Sequence, residues 1–303
     1  MSFNLASAIL RGKWLIEPEF AHSQLPLVVE LIKAGATDKG PILAGSSVLR
    51  PEVSHPTKIS FAASQTDVYS VNPYTSTDRL PYNSIAMIDI VGPIIKYGGW
   101  CSYGTVQMND LIIRLSNSDR VKGIILNIDS GGGQADGTGM FAETIRKVRK
   151  IKPVITVIQD GIAASAAYWI GSSAQEVYLT RDTDMVGSIG AYTTIYDFSG
   201  YFEQLGIIVR DIYAPESKDK NKDYKDALKG DDKAIEDQLS FLVQDFKKSV
   251  SEGRGDRLKV KGEEPFTGKM YFAKEAKALG LIDGVKPMSG VIQRMEELIA
   301  LRS

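Results

Sequence analysis

Ser165 stands in the run QDGIAASAAYWIG (residues 159–171), among alanines, where an apolar β-branched stretch, PVITVI, gives way to a helix-like one. Taken alone, a serine at a helix start is most often a cap or a small packing residue. A second stretch changes that weighting. NIDSGGGQADG (residues 127–137) follows another apolar run and precedes a helical pattern, and its successive glycines allow a backbone turn that other residues cannot make. Such a turn leaves amides exposed. It has neither GxxxxGK[ST] nor GxGxxG spacing, so a nucleotide phosphate is not the favoured ligand. The remaining readings are a tight turn without a ligand, or an oxyanion hole whose N–H groups point at a carbonyl oxygen gaining charge. The two stretches lie one βα unit apart, so neighbouring parallel strands would bring both loops to the same sheet edge, where ligands bind in open α/β folds. A hydroxyl beside backbone donors suits acyl transfer. The alanines let the helix approach the sheet and leave space over the hydroxyl.

A serine hydroxyl needs a base. The chain has two histidines, His22 and His55, and both precede the strand-rich part. A Ser-His-Asp triad drawn from the core is therefore excluded by count. A neutral lysine can serve if burial depresses its pKa from ~10.4 by about 3, at a cost of roughly 4 kcal/mol. Lys218, Lys220, Lys222, Lys225 and Lys229 are interleaved with aspartates in residues 214–230. Chemistry alone does not choose among them, and most of so charged a stretch reads as a solvated loop.

The elements that must position these groups are legible as periodicity. SIAMIDIVGPI (84–94), VKGIILNID (121–129), PVITVIQD (153–160) and EVYLTRDT (176–183) read as buried strands. Between the second and third, TGMFAETIRKVRK (138–150) repeats Phe141, Ile145 and Val148 at helical spacing. Alternating strand and helix predicts a parallel α/β sheet with right-handed crossovers. Ile235, Leu239, Leu242, Val243, Phe246 and Val250 form one stripe of a long helix expected on the core, with EGRGDR and DRLKV as helix-end charges. Ahead of Pro81, Ser23 to Gly35 reads as a short helix and the rest as loop-rich and strand-poor. The expected division is an arm or linker over residues 1–80 and a catalytic domain with a C-terminal helical part over residues 81–303.

Composition closes off other classes. The chain has 303 residues, 36 basic and 37 acidic, for a formal net charge of -1. That balance points neither to nucleic acid nor to an anionic membrane surface. A single cysteine, Cys101, excludes an internal disulfide and a cysteine-based metal cluster, and reads as a packing thiol in a reducing compartment. No run reaches the roughly 20 apolar residues of a membrane span, and NLASAIL lacks the basic start of a signal peptide. Neither metal nor cofactor is expected.

From about Ile85 to Val285 the chain resembles the peptidases related to signal peptide peptidase A, a serine–lysine family with a Clp-protease-like or crotonase-like α/β core. The resemblance rests on VKGIILNIDSGGG, DGIAASAAYWIGSSA, DTDMVGSIGAY, SVSEGR and AKEAKALGLIDGV, in that order. It implies Ser165 as nucleophile and, after a strand IIVRDIYA, Lys218 as general base, with Lys220 as the alternative in an unusually charged segment. It implies further that Ser188 hydrogen-bonds the lysine, and that the Gly132 and Ala166 amides form the oxyanion hole with Gly133 in support. Gly131 stands where the family usually has proline, and the membrane anchor of the bacterial signal-peptide enzymes is not expected here. The lead segment RGKWLIEPEFAHSQLPLVVELIKAG is similar to phage and prophage members that process scaffold, capsid or portal proteins during head assembly. The expectation is thus a homo-oligomeric serine endopeptidase acting on extended polypeptide, in the bacterial cytoplasm or the phage prohead. The alternatives are a host peptide-degrading peptidase, a crotonase-type acyl-CoA enzyme and an inactive assembly protein.

Overall fold

A computed structural model describes residues 14–16, 55–59, 66–98, 103–195, 197 and 199–302, with backbone alone for 14–16 and for residue 201. The helix expected at Ser23 to Gly35, His22 and Cys101 lie outside them. Nine strands form one sheet: β2 (Thr57–Ile59), β3 (Val68–Val71), β4 (Ser84–Val91), β5 (Val121–Ser130), β7 (Val154–Ala164), β8 (Glu176–Leu179), β9 (Met185–Gly187), β10 (Met270–Phe272) and β11 (Gly284–Val285). Its centre, β3-β4-β5-β7, is parallel, while β2 and β10 close the two ends antiparallel. A separate two-stranded pair joins β1 (Trp14–Ile16) to β6 (Gly132–Gln134).

Alternation along the strands assigns the two faces. Ala86, Ile88 and Ile90 of β4 and Ile124, Leu126 and Ile128 of β5 enter a core with residues of α1 (Thr105–Asn117), α2 (Thr138–Val148) and α3 (Ala166–Gly171). Ile85, Met87 and Ile125 face the other way, onto Val291, Ile292, Met295 and Leu298 of α8 (Met288–Ala300). With both faces covered, the strands can be nearly continuous apolar runs, and each fully buried aliphatic side chain contributes about 1.5–3 kcal/mol. This is the mixed α/β architecture, with a mostly parallel sheet and flanking helices, that the alternation predicts.

The third run does not stop at Asp160. Ile128 of β5 pairs with Ile158 and Ser130 with Ala163, so β7 advances five residues while β5 advances two. The surplus is a bulge at Asp160, which sits at φ 54°. Its backbone is satisfied by carboxylates: Gly161 N–H donates to Asp184 Oδ1 at 3.0 Å and Ile162 N–H to Asp129 Oδ1 at 3.2 Å. A Cβ on Gly161 would run into Asp129 Oδ1 and push that carboxylate off the Ile162 amide. Below the bulge β7 pairs with β8; above it, Ile162–Ala164 pairs with β9.

Three further expectations need correction. Contact of α6 (Lys233–Arg254) with the core begins at Leu242: Phe246 and Val250 are buried and Leu242 packs, partly covered, against the same core, whereas Ile235, Leu239 and Val243 are only half-covered. Residues 207–214 form no strand and are mostly exposed, and no strand among the described residues pairs with them. Arg254 is not a solvated helix-end charge. It is buried, with Nη1 2.9 Å from Asp283 Oδ2 and Nε donating to the Gly280 carbonyl, and Arg257 Nη1 reaches Asp283 Oδ1 at 3.0 Å.

Candidate active site

Ser165 occupies the hinge between β7 and α3, at φ 55° and ψ -120°. A non-glycine residue at positive φ is uncommon, and holding one there costs of order 1–3 kcal/mol. Two backbone bonds keep it in place: its N–H donates to the Gly187 carbonyl at 2.9 Å, and its own carbonyl accepts from Trp169 N–H at 2.9 Å. The residue is 1% exposed. Its hydroxyl makes no hydrogen bond among the described residues and does not cap the helix. Strain at a strand-to-helix turn with an unengaged hydroxyl is the geometry that presents a nucleophilic serine.

The alanines do what their size allows. Ala163, Ala164, Ala166 and Ala167 are fully buried, so α3 lies close against the sheet and beside β6. The Ala166 amide is among the first of α3, which has no intrahelical partner for it to donate to.

The glycine turn reaches this corner through β5, whose Ser130 pairs with Ala163. Gly132 sits at φ 100°, and its N–H donates to Ser130 Oγ at 3.1 Å, while Ser130 Oγ donates to the Gly92 carbonyl at 2.6 Å. The expected oxyanion amide is therefore held by a side chain that the sequence reading did not single out. The signal for it was present: Ser130 is the polar residue ending the strand ahead of the glycines. Gly133 is pressed against Ile94, and a Cβ there would overlap the Ile94 carbonyl. Ile94 N–H donates to the Gly132 carbonyl and Gln134 N–H to the Ile94 carbonyl, both at 2.8 Å.

Ser188 comes to the same corner. It is buried, at φ 51°, and its N–H donates to the Lys269 carbonyl at 2.9 Å. Ser165, Ala166, Ser188, Gly132 and Gly133 thus share the carboxyl edge of the sheet.

The lysines do not join them. Lys218 and Lys220 are exposed in a turn-rich stretch, and among the described residues neither makes a hydrogen bond or ion pair to Ser165 or Ser188. Of the five lysines considered, Lys225 is committed elsewhere: Nζ is 2.9 Å from Asp211 Oδ2 and 4.5 Å from the centre of the Tyr213 ring. The hydrogen bond to Asp211 raises its pKa, opposite to what a base requires. His55 is exposed and contacts Arg79 at 2.9 Å, away from the serine.

The sequence profile of peptidase family S49 matches residues 146–302. A protein of Methanocaldococcus jannaschii is 28% identical over 193 residues, covering 62% of this chain and 60% of that one. Capsid assembly protease C of Escherichia phage lambda is 26% identical over 230 residues, covering 73% of this chain and 50% of that one. Head-tail preconnector protein GP5 of Enterobacteria phage P21 is 31% identical over 137 residues, covering 44% and 27%. This chain thus spans from 27% to 60% of the length of these relatives.

Proposed function

Because this chain belongs to peptidase family S49, we propose that it is a serine endopeptidase with Ser165 as nucleophile and Lys218 as general base. One observation carries the reading: a buried serine, strained at φ 55° on a strand-to-helix turn, with its hydroxyl unengaged beside a glycine turn. In the proposed reaction the deprotonated Lys218 amine takes the Ser165 proton as Oγ attacks the carbonyl carbon of an extended peptide. The oxyanion is met by the Ala166 amide and by the Gly132 amide, which turns to it from Ser130. The carbon–nitrogen bond breaks, Lys218 protonates the leaving amine, and an acyl ester remains on Ser165. Water then gives a proton to Lys218, attacks the ester, and releases the acid as the proton returns to Ser165.

The separation of Lys218 from Ser165 within one chain favours a homo-oligomer in which the lysine comes from a neighbouring copy. The segment leading to Lys218 supports this, since Ile208 and Ile212 are 85% and 84% exposed. An unpartnered apolar stretch of that kind suits burial against a second copy.

The substrate we favour is a phage scaffold, capsid or portal protein cut during head assembly, in the bacterial cytoplasm or inside the prohead. The likeness to capsid assembly protease C, which extends over 73% of this chain, supports that role. No helix among the described residues is long and apolar enough to cross a membrane. The test is digestion of casein, and of scaffold protein from a phage carrying this chain, by the wild type beside Ser165→Ala. Cleavage lost with the serine supports the reading. A wild type that cleaves neither and leaves Ser165 unlabelled by a fluorophosphonate would refute it.

A further inference from the structure

The short strand β6 has two edges. Ile94 takes one, through the carbonyl of Gly132 and the N–H of Gln134. Alternation along a strand then turns the N–H and C=O of Gly133 toward the other edge. That second edge is the natural place for a polypeptide to add itself as a strand beside Ser165. It is occupied. β1 lies along it antiparallel, with Trp14 opposite Gln134, Leu15 opposite Gly133 and Ile16 opposite Gly132.

The direction and register of β1 are those an acyl-side segment would need. The segment runs toward the glycine turn and has its last paired residue opposite Gly132, the residue assigned above to the oxyanion. We infer that Trp14–Ile16 is an internal competitor, holding the site where an extended, apolar stretch of substrate would dock along Gly132–Gln134. This rests on the endopeptidase reading of the same corner. The pairing is also suited to being displaced, because β1 and β6 form a two-stranded unit outside the main sheet, and such a unit is marginal on its own. With the edge filled by its own chain for most of the time, apparent affinity for substrate falls by the fraction of molecules whose edge is open.

The test uses the full chain in a Ser165→Ala background, so that nothing is cut. A fluorescein-labelled peptide of residues 12–19, GKWLIEPE, is titrated and followed by anisotropy. One variant combines Trp14→Ser, Leu15→Gly and Ile16→Ser; a second carries Leu15→Pro alone, which removes one backbone donor from β1. Both are checked for fold by circular dichroism. The peptide is expected to bind each variant at least about tenfold more tightly than it binds the chain with its own β1 intact, a difference of about 1.4 kcal/mol. With Ser165 restored, both variants are expected to cleave peptide substrates several-fold faster. Equal binding to intact and altered chains, or binding to none, overturns the inference. Binding is read without catalysis, so failure of Ser165 to react with a fluorophosphonate would defeat the endopeptidase reading alone.

Discussion

The backbone N–H of Ser165 donates to the carbonyl of Gly187 at 2.9 Å, and the residue after that carbonyl, Ser188, shares the positive φ of Ser165. One strand pairing, Ala164 against Gly187, therefore fixes both serines in backbone states that side chains ordinarily avoid. Replacing Ser165 separates strain from chemistry. Ser165→Gly is expected to raise stability by about 1 kcal/mol in urea unfolding, because glycine adopts φ 55° without penalty. Ser165→Ala keeps the strain and should leave the midpoint nearly unchanged. Neither should cleave peptide or react with a fluorophosphonate. A glycine variant markedly less stable than wild type would show that the turn is not strained.

Lys218 and Lys220 are both exposed, so replacing either with alanine should shift stability by no more than about 0.5 kcal/mol. Cleavage is expected to vanish with Lys218→Ala and to persist with Lys220→Ala. Mixing Ser165→Ala with Lys218→Ala, each inert alone, should restore activity if the lysine reaches the serine of a neighbouring copy. A mixture as inert as its parts would place serine and lysine within one chain, or assign the base elsewhere.

Gly133→Ala probes the glycine turn. The added Cβ collides with the Ile94 carbonyl, which belongs to backbone and cannot swing aside as a side chain could. The bridge between Ile94 and Gly133 must open, and the amides on either side of it move. The expected result is at least a hundredfold loss of peptide cleavage, the size associated with losing an oxyanion donor, with the fold retained by circular dichroism. Cleavage within about tenfold of wild type would show that the turn is not part of the site.

Asp283 is expected to contribute to acid stability. Burial pushes its carboxyl up, while Arg254, the Val177 N–H and Arg257 pull it down, and the net direction is below the ordinary value. A carboxyl depressed in the folded state stabilises fully above its unfolded pKa of ~3.9, and that contribution is lost as pH falls through the lower folded value. Asp283→Asn leaves Arg254 buried without its counter-charge and should cost about 3–5 kcal/mol at neutral pH. Its stability should then fall less steeply than the wild type's below about pH 4. Parallel acid profiles for the two proteins would discount the ion pair.

Periodicity made the centre of the fold legible, because β4, β5 and β7 are buried on both faces and so carry unbroken apolar runs. The glycine turn is legible because glycine adopts φ 100° without penalty, whereas no local pattern announces that Ser165 sits at φ 55°. What escaped was non-local. The continuation of β7 beyond Asp160 depends on Asp129 and Asp184, 31 and 24 positions away, accepting from its bulge amides. The burial of Arg254 depends on Asp283 in the same way. The apolar run 207–214 has the composition of a strand, but no strand among the described residues pairs with it, and no local pattern reveals whether a partner edge exists.

β7 changes partners part-way along, from β8 to β9, and the bulge at Asp160 marks the change. One strand thereby serves two neighbourhoods, joined by three surplus residues. Changes packed around β8 and β11 bear on the lower half of β7, and changes around β9 and β10 on the backbone that holds Ser165.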